Sequence, residues 1–453
     1  MNILGTVALW AWVPVVLVFF GVLGPRRGIL AGYFLGALFL PEAGFRIPSF
    51  VAYDKLSATS IAVVIGILLF DHERLKSFRP SVFDLPMLVW VGVPFASMLS
   101  NDFAVRDAAF PMLEHVFDWG IPYFCARLYI DRWSGLRDLV FAIALAGLVY
   151  VPLCLFELRM SPRLHADFYG FHQRAFMMLD RYGGYRPLVF LQSPLMVGML
   201  MATSSLVVFW SWRAKILERF GPLPIRWATL VLVVTTILGK TSGAMTLMFL
   251  GMLICTTSRR AVGQWMFAGI VFIGLLYPPL RASGILDRER ALAPLIAVYD
   301  EERIKSLSYR MINEDLLAAH AAERAWLGWG GWGRESVYDE EGRKVSTQDG
   351  LWIIVFGKYG LIGLAAIMGV HLVPALLLLR LPSATWVQGP TAMVAVLSVV
   401  MGLTWIDKLL NGMPNVVITL TAGALTTAYA VGLRDRSAAR TNRRLDVSTA
   451  RLS

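Results

Sequence analysis

The residues best suited to chemistry are charged side chains next to apolar runs long enough to cross a membrane. Arg186 directly precedes one such run, Arg310 lies in the longest polar stretch, and Asp349 ends that stretch. An arginine guanidinium is always charged and presents paired donors to phosphate oxygens. A carboxylate at a membrane edge loses solvent, which raises its pKa and suits it to act as a general base. These residue types predict a phosphate-binding group beside a proton acceptor.

Arg181 and Arg186 flank the tyrosines Tyr182 and Tyr185 in the loop before the apolar run that opens at Pro187. Two arginines in such a place favour phosphate binding. The alternative is that the segment anchors the chain at the membrane interface, where tyrosine is enriched. The sequence leaves both interpretations open.

Lys240 lies between two apolar runs, within Gly239-Lys240-Thr241. These residues resemble the end of a phosphate-binding P-loop, but Val234 stands where that motif requires glycine, so we reject the motif. An ammonium group in this position either extends to the membrane interface or binds an anion. Lys240 is therefore a further candidate for binding the same anionic group as the arginines.

Residues 303–325 carry apolar side chains at helical spacing, with charged side chains elsewhere. This pattern predicts an amphipathic helix that lies against the membrane or the helical bundle. Arg310 lies close to the apolar stripe and is the cation best placed to face inward. The alternative is a surface helix in which Arg310 pairs with Glu314 at i,i+4, a contact worth roughly 0.3 kcal/mol.

The run Gly328-Trp329-Gly330-Gly331-Trp332-Gly333 matches the G-x-G-x-x-G pattern of dinucleotide-binding loops. It follows an alanine-rich helical segment rather than a strand, which argues against a nucleotide site. The glycines instead predict a tight turn, with Trp329 and Trp332 at the level of the lipid headgroups. The same tryptophans are candidates to stack on a sugar ring, and the sequence does not separate these two interpretations.

Asp349 closes the polar stretch, directly before the apolar run that begins Gly350-Leu351-Trp352. A serine or aspartate in front of a helix most often caps its N-terminus. The alternative role is that of a general base at the membrane edge. Both roles stay open for this carboxylate.

Composition requires a membrane protein, because 57% of the 453 residues are hydrophobic and only 16% are charged, against about 25% charged in soluble domains. The apolar runs reach about 18 to 25 residues, enough to cross a hydrocarbon core about 30 Å thick. We predict an all-α polytopic membrane protein with about eleven to thirteen transmembrane helices and one large non-cytoplasmic loop that contains amphipathic helices. The candidate spans lie near residues 4–23, 28–41, 56–70, 83–100, 108–128, 138–158, 187–211, 227–239, 241–257, 262–280, 351–379, 389–406 and 412–433.

The polar breaks divide the chain into four parts. These are an N-terminal transmembrane bundle (1–280), the large loop (281–349), the C-terminal transmembrane helices (350–433) and a basic tail (434–453) that we expect to be disordered. The net charge of +11 comes mostly from lysines and arginines in short loops and in the tail. This distribution indicates membrane topology rather than nucleic-acid binding, and it predicts a cytoplasmic tail and a large loop on the opposite side.

The three cysteines, Cys125, Cys154 and Cys255, all lie within apolar runs, and none lies in the large loop. The sequence therefore predicts neither a disulfide framework nor a cysteine-based metal site. We expect a metal-independent protein without a cofactor.

The order and spacing of these pieces resemble the O-antigen ligase and O-unit polymerase group of bacterial membrane glycosyltransferases. The resemblance covers roughly residues 180–370 and includes Arg186-Pro187 with Pro194, Thr241-Ser242-Gly243-Ala244, Arg310, Trp326-Leu327-Gly328-Trp329-Gly330, and Asp349 with Gly360 and Gly363. The chain departs from the family pattern at Gly243, where arginine is usual. It departs again at Gln348-Asp349, where ligases carry a histidine as the supposed base.

The resemblance implies a GT-C-like fold in the bacterial inner (cytoplasmic) membrane, with a polyisoprenyl-diphosphate-linked glycan as donor and a second glycan as acceptor. Membrane lipid and other proteins of polysaccharide assembly or export are further expected partners. In this scheme Arg186 and Arg310 bind the diphosphate, and Asp349 deprotonates the acceptor hydroxyl. The missing histidine favours polymerisation of O-antigen or exopolysaccharide units over ligation, and both remain open.

Two other classes of function also fit the sequence. A transporter of lipid-linked glycans or small molecules would use the same arginines for binding without chemistry, and it predicts charged groups along an internal path. The candidates for such groups are Glu114, Asp118, Arg127, Glu157, Asp407 and Lys408. A structural subunit of a larger assembly would instead use the large loop as a docking surface.

Overall fold

The structure is a computed structural model that describes residues 1–46, 51–174, 183–258, 261–296 and 301–430. The predictions for Arg181 and for the basic tail lie outside the described residues. The regular secondary structure of the described residues is helical, apart from a short hairpin and two isolated bridges. The hairpin consists of β1 (Arg219–Phe220) and β2 (Leu223–Pro224).

Seventeen α-helices are found in the described ranges. Those of the first half are α1 (Ile3–Leu23), α2 (Pro25–Phe39), α3 (Lys55–Phe70), α4 (Leu85–Leu99), α5 (Val105–His115), α6 (Ile121–Tyr129), α7 (Trp133–Met160) and α8 (Leu164–Tyr169). Those of the second half are α9 (Pro194–Arg213), α10 (Ile225–Leu238), α11 (Ser242–Thr257), α12 (Val262–Ala282), α13 (Arg288–Ile296), α14 (Glu301–Ala322), α15 (Leu351–Leu378), α16 (Thr391–Lys408) and α17 (Val416–Ala430). A π-helical turn, Val116–Gly120, joins α5 to α6.

Seven described helical stretches are long and apolar enough to cross a membrane. They are Ile3–Leu23, Val82–Leu99, Trp133–Met160, Pro194–Arg213, Val262–Ala282, Leu351–Leu378 and Thr391–Lys408. Four shorter apolar helices, α3, α10, α11 and α17, accompany them. The prediction of a helical, multi-pass membrane protein is confirmed at this level, and the larger number of spans stays a prediction.

The helices α9 and α16 form the centre of the bundle. Within their apolar windows 78% and 83% of the residues are buried, against 28% in α1. Trp210 of α9 and Trp405 of α16 are fully buried there. Their indole N–H groups donate to the carbonyls of Trp386 and Gly274, both at 2.8 Å. Such bonds are needed because a buried N–H group without a partner is costly.

The start of α9 differs from the sequence prediction. The apolar run opens at Pro187, but the helix begins only at Pro194, where the Ser193 hydroxyl accepts the N–H of Leu195 as an N-cap. Residues 187–193 form a loop instead. Apolar character alone misplaced this boundary, because the segment is buried without being helical.

The large polar stretch contains the helices α13 and α14, and we call the end of the bundle where they lie the loop end. The amphipathic helix predicted over 303–325 is present as α14. Its buried side chains include Leu307, Met311 and Leu317. Through this face α14 packs against α12, α13 and α15, so the stretch is part of the folded bundle.

Candidate functional site

Arg310 and Asp349 meet at the loop end. The Nε atom of Arg310, on α14, lies 3.7 Å from Oδ2 of Asp349, which precedes the first residue of α15 by two positions. Arg310 Nη1 also donates to the Leu410 carbonyl at 3.0 Å and to Asn411 Oδ1 at 3.4 Å. The two charged side chains are 26% and 35% exposed. The site therefore joins a cation of the large loop to a carboxylate at the start of a span, and solvent reaches both.

The alternative pair between Arg310 and Glu314 does not form. The Glu314 carboxylate accepts hydrogen bonds from the Tyr277 hydroxyl at 2.9 Å, Trp352 Nε1 at 3.1 Å and Arg281 Nε at 3.2 Å. Burial raises the pKa of the Glu314 carboxyl, and the neighbouring Arg281 opposes that shift. Glu314 therefore ties α14 to α12 and α15, one helical turn beyond Arg310.

Asp349 does not cap α15 through its side chain. The N-cap position is Gly350, and no side chain caps this helix end. The Asp349 carbonyl accepts the N–H of Gly412 at 2.5 Å, which holds the start of α15 against the turn that follows α16. The backbone of Asp349 is thus fixed, while its carboxylate faces Arg310.

Arg186 and Lys240 come together at a second position of the loop end. Arg186 is buried, and its Nη2 donates to Thr241 Oγ1 at 3.3 Å. Lys240 precedes Thr241 in the turn between α10 and α11 and has a left-handed backbone, with φ of 53°. Its Nζ lies beside Gly184, where an added Cβ would be only 2.5 Å away. Gly239-Lys240-Thr241 is therefore a true turn that brings a second cation close to Arg186.

Glu157 fixes the segment that follows Arg186, a role that sequence reasoning missed. Its fully buried carboxylate accepts the N–H groups of Leu164 at 3.0 Å and of Leu188 and Val189 at 2.7 Å each. A buried carboxylate is tolerated where several donors surround it. A charged residue within an apolar run was the only signal, and its partners lie too far along the chain to be identified from spacing.

The first turns of α9 lie between the two cationic groups. Gly198 packs against Thr241, since an added Cβ would lie 2.7 Å from the Thr241 Cβ. A small cavity of about 20 Å³ is lined on the other side by Leu195, Met196, Met199, Thr404, Asp407, Lys408, Asn411, Met413, Pro414 and Asn415. Arg186 and Arg310 thus approach the same helix from different sides.

A larger cavity, of about 420 Å³, opens beside the small one. It is lined by residues 41–46, 191–192 and 414–417, together with parts of α2, α3 and α9 and the π-helical turn. Charged groups of both signs border it, among them Glu42, Lys55 and Asp118. No pattern in the sequence indicates this cavity, because its walls come from segments hundreds of residues apart.

The two tryptophans proposed to bind a sugar have different surroundings. Trp329 stacks on the His320 ring, with centroids 4.4 Å apart and planes at 11°, and its Nε1 donates to the His320 carbonyl at 2.9 Å. The Arg324 guanidinium lies 4.8 Å from the Trp329 ring centroid. Trp332 is 64% exposed and touches Phe103 edge to face. Trp329 is held within the loop, whereas Trp332 keeps a face open to lipid or sugar.

The turn formed by residues 328–333, which we call the Gly-Trp turn, closes a break in α15. The helix is interrupted at Gly360, where φ is 62° and ψ is −161°. Backbone hydrogen bonds cross the gap from Trp329 N–H to the Gly357 carbonyl, from Gly330 N–H to the Lys358 carbonyl, and from Leu361 N–H to the Ala325 carbonyl, at 2.9, 3.0 and 2.7 Å. Away from water an unpaired backbone group costs several kcal/mol. The turn therefore supplies partners that the broken helix lacks.

Glycine is required on both sides of this junction. An added Cβ at Gly360 would lie 2.3 Å from the carbonyl carbon of Trp326, and one at Gly328 would lie 2.5 Å from that of Lys358. Asn101, just beyond α4, donates from its side-chain amide to the Gly328 carbonyl at 2.9 Å. The predicted tight turn is present, and it joins α4, α15 and the large loop.

No protein-family model matches the chain, and no curated protein matches it. The arguments for function therefore come from the geometry and chemistry of these residues.

Proposed function

We propose that this protein is a membrane glycosyltransferase that polymerises, or ligates, polyisoprenyl-diphosphate-linked oligosaccharide units in O-antigen or exopolysaccharide biosynthesis. It acts on the outer side of a bacterial cytoplasmic membrane, with about eleven to thirteen spans in a GT-C-like arrangement. The observation that carries the proposal is the contact between Arg310 and Asp349. It places a cation suited to a diphosphate beside a carboxylate suited to accept a proton.

In the proposed reaction the cations neutralise the leaving group and the carboxylate activates the acceptor. Arg310, with Arg186 and Lys240, binds the diphosphate, where negative charge develops in the transition state. Asp349 takes the proton of the acceptor hydroxyl. The hydroxyl oxygen then bonds to the anomeric carbon of the donor, the bond from that carbon to the diphosphate oxygen breaks, and polyisoprenyl diphosphate leaves.

The long distance between Arg310 and Asp349 fits both proposed roles, diphosphate binding by Arg310 and proton acceptance by Asp349. Its nitrogen–oxygen distance of 3.7 Å is longer than a hydrogen bond, and both groups are partly exposed. A diphosphate offers a guanidinium two oxygens at once, which makes a stronger, bidentate contact. An arriving donor therefore draws Arg310 away and leaves the Asp349 carboxylate able to accept a proton.

A carrier of lipid-linked glycans or small molecules is the second candidate. Asp118 lines the large cavity, and Asp407 and Lys408 line the small one. Charged groups that face internal cavities are what a transport path predicts. A carrier binds its substrate but does not release polyisoprenyl diphosphate, so turnover separates the two candidates.

The length of the glycan made in cells tests the proposal. In a strain that lacks the chromosomal copy, Arg310→Ala and Asp349→Asn are expected to shorten or abolish the polymer, because each removes one of the two roles. Glycan chain length is read by gel electrophoresis at matched levels of membrane-inserted protein.

Arg343→Ala and Glu341→Gln are the matched controls for this experiment. These residues pair with each other at 3.0 Å on the exposed part of the same loop, where ion pairs contribute little. Both control variants are expected to give full-length glycan. Full-length glycan from Arg310→Ala and Asp349→Asn as well would contradict the proposed function.

A further inference from the structure

The cavity of about 420 Å³ has room for a ligand and plays no part in the reaction proposed above. Pockets that bind small molecules measure about 300 to 1,000 Å³. Glu42 and Arg46 line it from the segment between α2 and α3, and Lys55 lines it from the start of α3. Asp118 reaches it from the π-helical turn, a distortion that is frequent at functional sites.

The charged groups that line the cavity differ in whether they already make hydrogen bonds or ion pairs within the protein. Lys55 Nζ lies 2.5 Å from Glu42 Oε1. Asp54 Oδ1 accepts the first N–H groups of α3 as its N-cap. The side-chain carboxylate of Asp118, in contrast, makes no hydrogen bond or ion pair with any residue in the described ranges, although it lines the cavity. Its carboxylate is the acceptor available to a ligand.

We propose that this cavity binds one sugar unit of a glycan through the hydroxyl groups of the sugar. A hydroxyl both donates and accepts, and the cavity offers the Asp118 carboxylate as acceptor beside the Lys55 ammonium and the Gln192 amide as donors. Both carboxylates and cations line the cavity, which suits an uncharged polar ligand better than an ion. Phe45, stacked on Trp10 at 6.2 Å, adds an aromatic ring to the lining.

The cavity lies close to the Arg310–Asp349 site. Met196, Pro414 and Asn415 line both this cavity and the small one. The small cavity also contains Asn411, which accepts a hydrogen bond from Arg310. A sugar held here therefore lies near the proposed reaction centre, with Asn411 between the two. That the sugar belongs to a lipid-linked glycan or its acceptor rests on the proposed function, whereas the cavity itself does not.

Direct binding to the full-length protein in nanodiscs tests this inference. The probe is a lipid-free oligosaccharide released by mild acid from the lipid-linked glycan of the same strain, and its binding is titrated by saturation-transfer NMR. Asp118→Asn is expected to weaken binding about tenfold, because an amide nitrogen replaces one of the two oxygens that can accept a hydrogen bond. Gln192→Ala, which removes a neutral donor, is expected to weaken binding about fivefold.

Asp102→Asn is the matched control, because Asp102 is an exposed carboxylate in the turn after α4, outside the cavity lining. It is expected to bind the oligosaccharide like the unaltered protein. Gln192 is exposed, so its variant keeps the test valid if Asp118→Asn fails to fold. Absence of binding to the unaltered protein, or unchanged affinity in Gln192→Ala together with a folded Asp118→Asn, would overturn the inference.

The same preparation separates this inference from the proposed function. Asp349→Asn is expected to bind the oligosaccharide normally while losing turnover. If the unaltered protein binds the oligosaccharide at the cavity but shows no turnover, only the proposed glycosyltransferase function is contradicted. Turnover that is insensitive to Asp118→Asn and Gln192→Ala, without measurable oligosaccharide binding, contradicts the cavity site only.

Discussion

Arg310 pairs with Asp349 rather than with Glu314, because Glu314 is already bound in a buried network. Glu314 lies one helical turn away on α14, but its carboxylate is held by Arg281, Tyr277 and Trp352. A buried carboxylate needs such donors, since burial without partners is costly. Arg310 is left at the rim, within 3.7 Å of Asp349.

Glu157 is expected to position Arg186 without touching substrate. In Glu157→Gln the new amide NH2 group would face either the Leu164 N–H or the N–H groups of Leu188 and Val189, so at least one hydrogen bond is lost. We expect a loss of stability of about 1 to 3 kcal/mol and a rise in KM for the lipid-linked donor that exceeds the fall in kcat. Thermal unfolding and steady-state kinetics of the purified protein measure the two effects.

Glu218→Gln serves as the control for Glu157→Gln, because Glu218 is exposed next to β1. It is expected to leave both the melting temperature and KM unchanged. If Glu157→Gln also left both unchanged, the bonds from Glu157 would have no positioning role.

Sequence reasoning identified candidate residues at the site but not the contacts between them. Their charge and their places beside apolar segments indicate Arg310 and Asp349, and the structure brings these two together. The contact of Arg310 with Leu410 joins positions 100 apart in the chain, which no local pattern encodes. No local pattern encodes the contacts of Glu157 either, because its partners Leu188 and Val189 lie 31 and 32 residues further along the chain.

At the level of elements, α15 and the large loop depend on each other. The break at Gly360 leaves backbone groups that the Gly-Trp turn satisfies, and Ser97 of α4 adds a hydroxyl that donates to the Lys358 carbonyl at 2.8 Å. The hydrophobic pattern predicted one uninterrupted span over 351–379. Apolar composition cannot show a break whose hydrogen bonds are completed by a distant loop.

Gly360→Ala is expected to separate the break in α15 from the Gly-Trp turn. A Cβ there would lie 2.3 Å from the Trp326 backbone, and the left-handed φ adds strain of about 1 to 3 kcal/mol. We expect a lower melting temperature and faster proteolysis of the Gly-Trp turn, measured on the purified protein by thermal unfolding and limited digestion.

Gly269→Ala on α12 is the matched control, since an added Cβ at Gly269 meets nothing within 4 Å. It is expected to unfold at the normal temperature or slightly above it, because alanine favours helix over glycine by roughly 1 kcal/mol. Equal melting temperatures for the two variants would show that the junction does not need glycine at position 360.

Across the whole molecule, a buried ion pair joins elements at the end opposite the large loop. Asp84 precedes α4, and its two carboxylate oxygens lie 2.6 and 3.0 Å from Arg127 Nε and Nη2 on α6. Arg127 Nη1 donates to Thr427 of α17 at 2.8 Å, and the Tyr123 hydroxyl donates to Asp84 at 2.9 Å. Arg127 was one of the charges considered for a transport path, but its described contacts are structural.

Arg127→Ala is expected to destabilise the protein by about 3 to 5 kcal/mol, because Asp84 would remain buried without its counter-charge. The double variant Asp84→Ala with Arg127→Ala is expected to lose less than the sum of the two single losses. Thermal unfolding of the three variants gives the comparison. Arg132→Ala, at an exposed arginine nearby, is the control, and losses that simply add would argue against a coupled pair.

Composition was enough to predict a helical membrane protein, because apolar runs of this length fit few other structures. It did not predict the large cavity, whose walls include Glu42, Asp118, Gln192 and Asn415. These residues have no common spacing, and they come together only in the folded helical bundle.

Release of polyisoprenyl diphosphate by the purified full-length protein in nanodiscs is the most direct test of glycosyl transfer at the Arg310–Asp349 site. With a labelled polyisoprenyl-diphosphate oligosaccharide as donor and a second unit as acceptor, we expect release coupled to a longer lipid-linked glycan. We expect Asp349→Asn to lower kcat by about 100-fold or more, since a general base contributes at least that factor. Binding of the donor without release, or Asp349→Asn that turns over at the normal rate, would contradict this function.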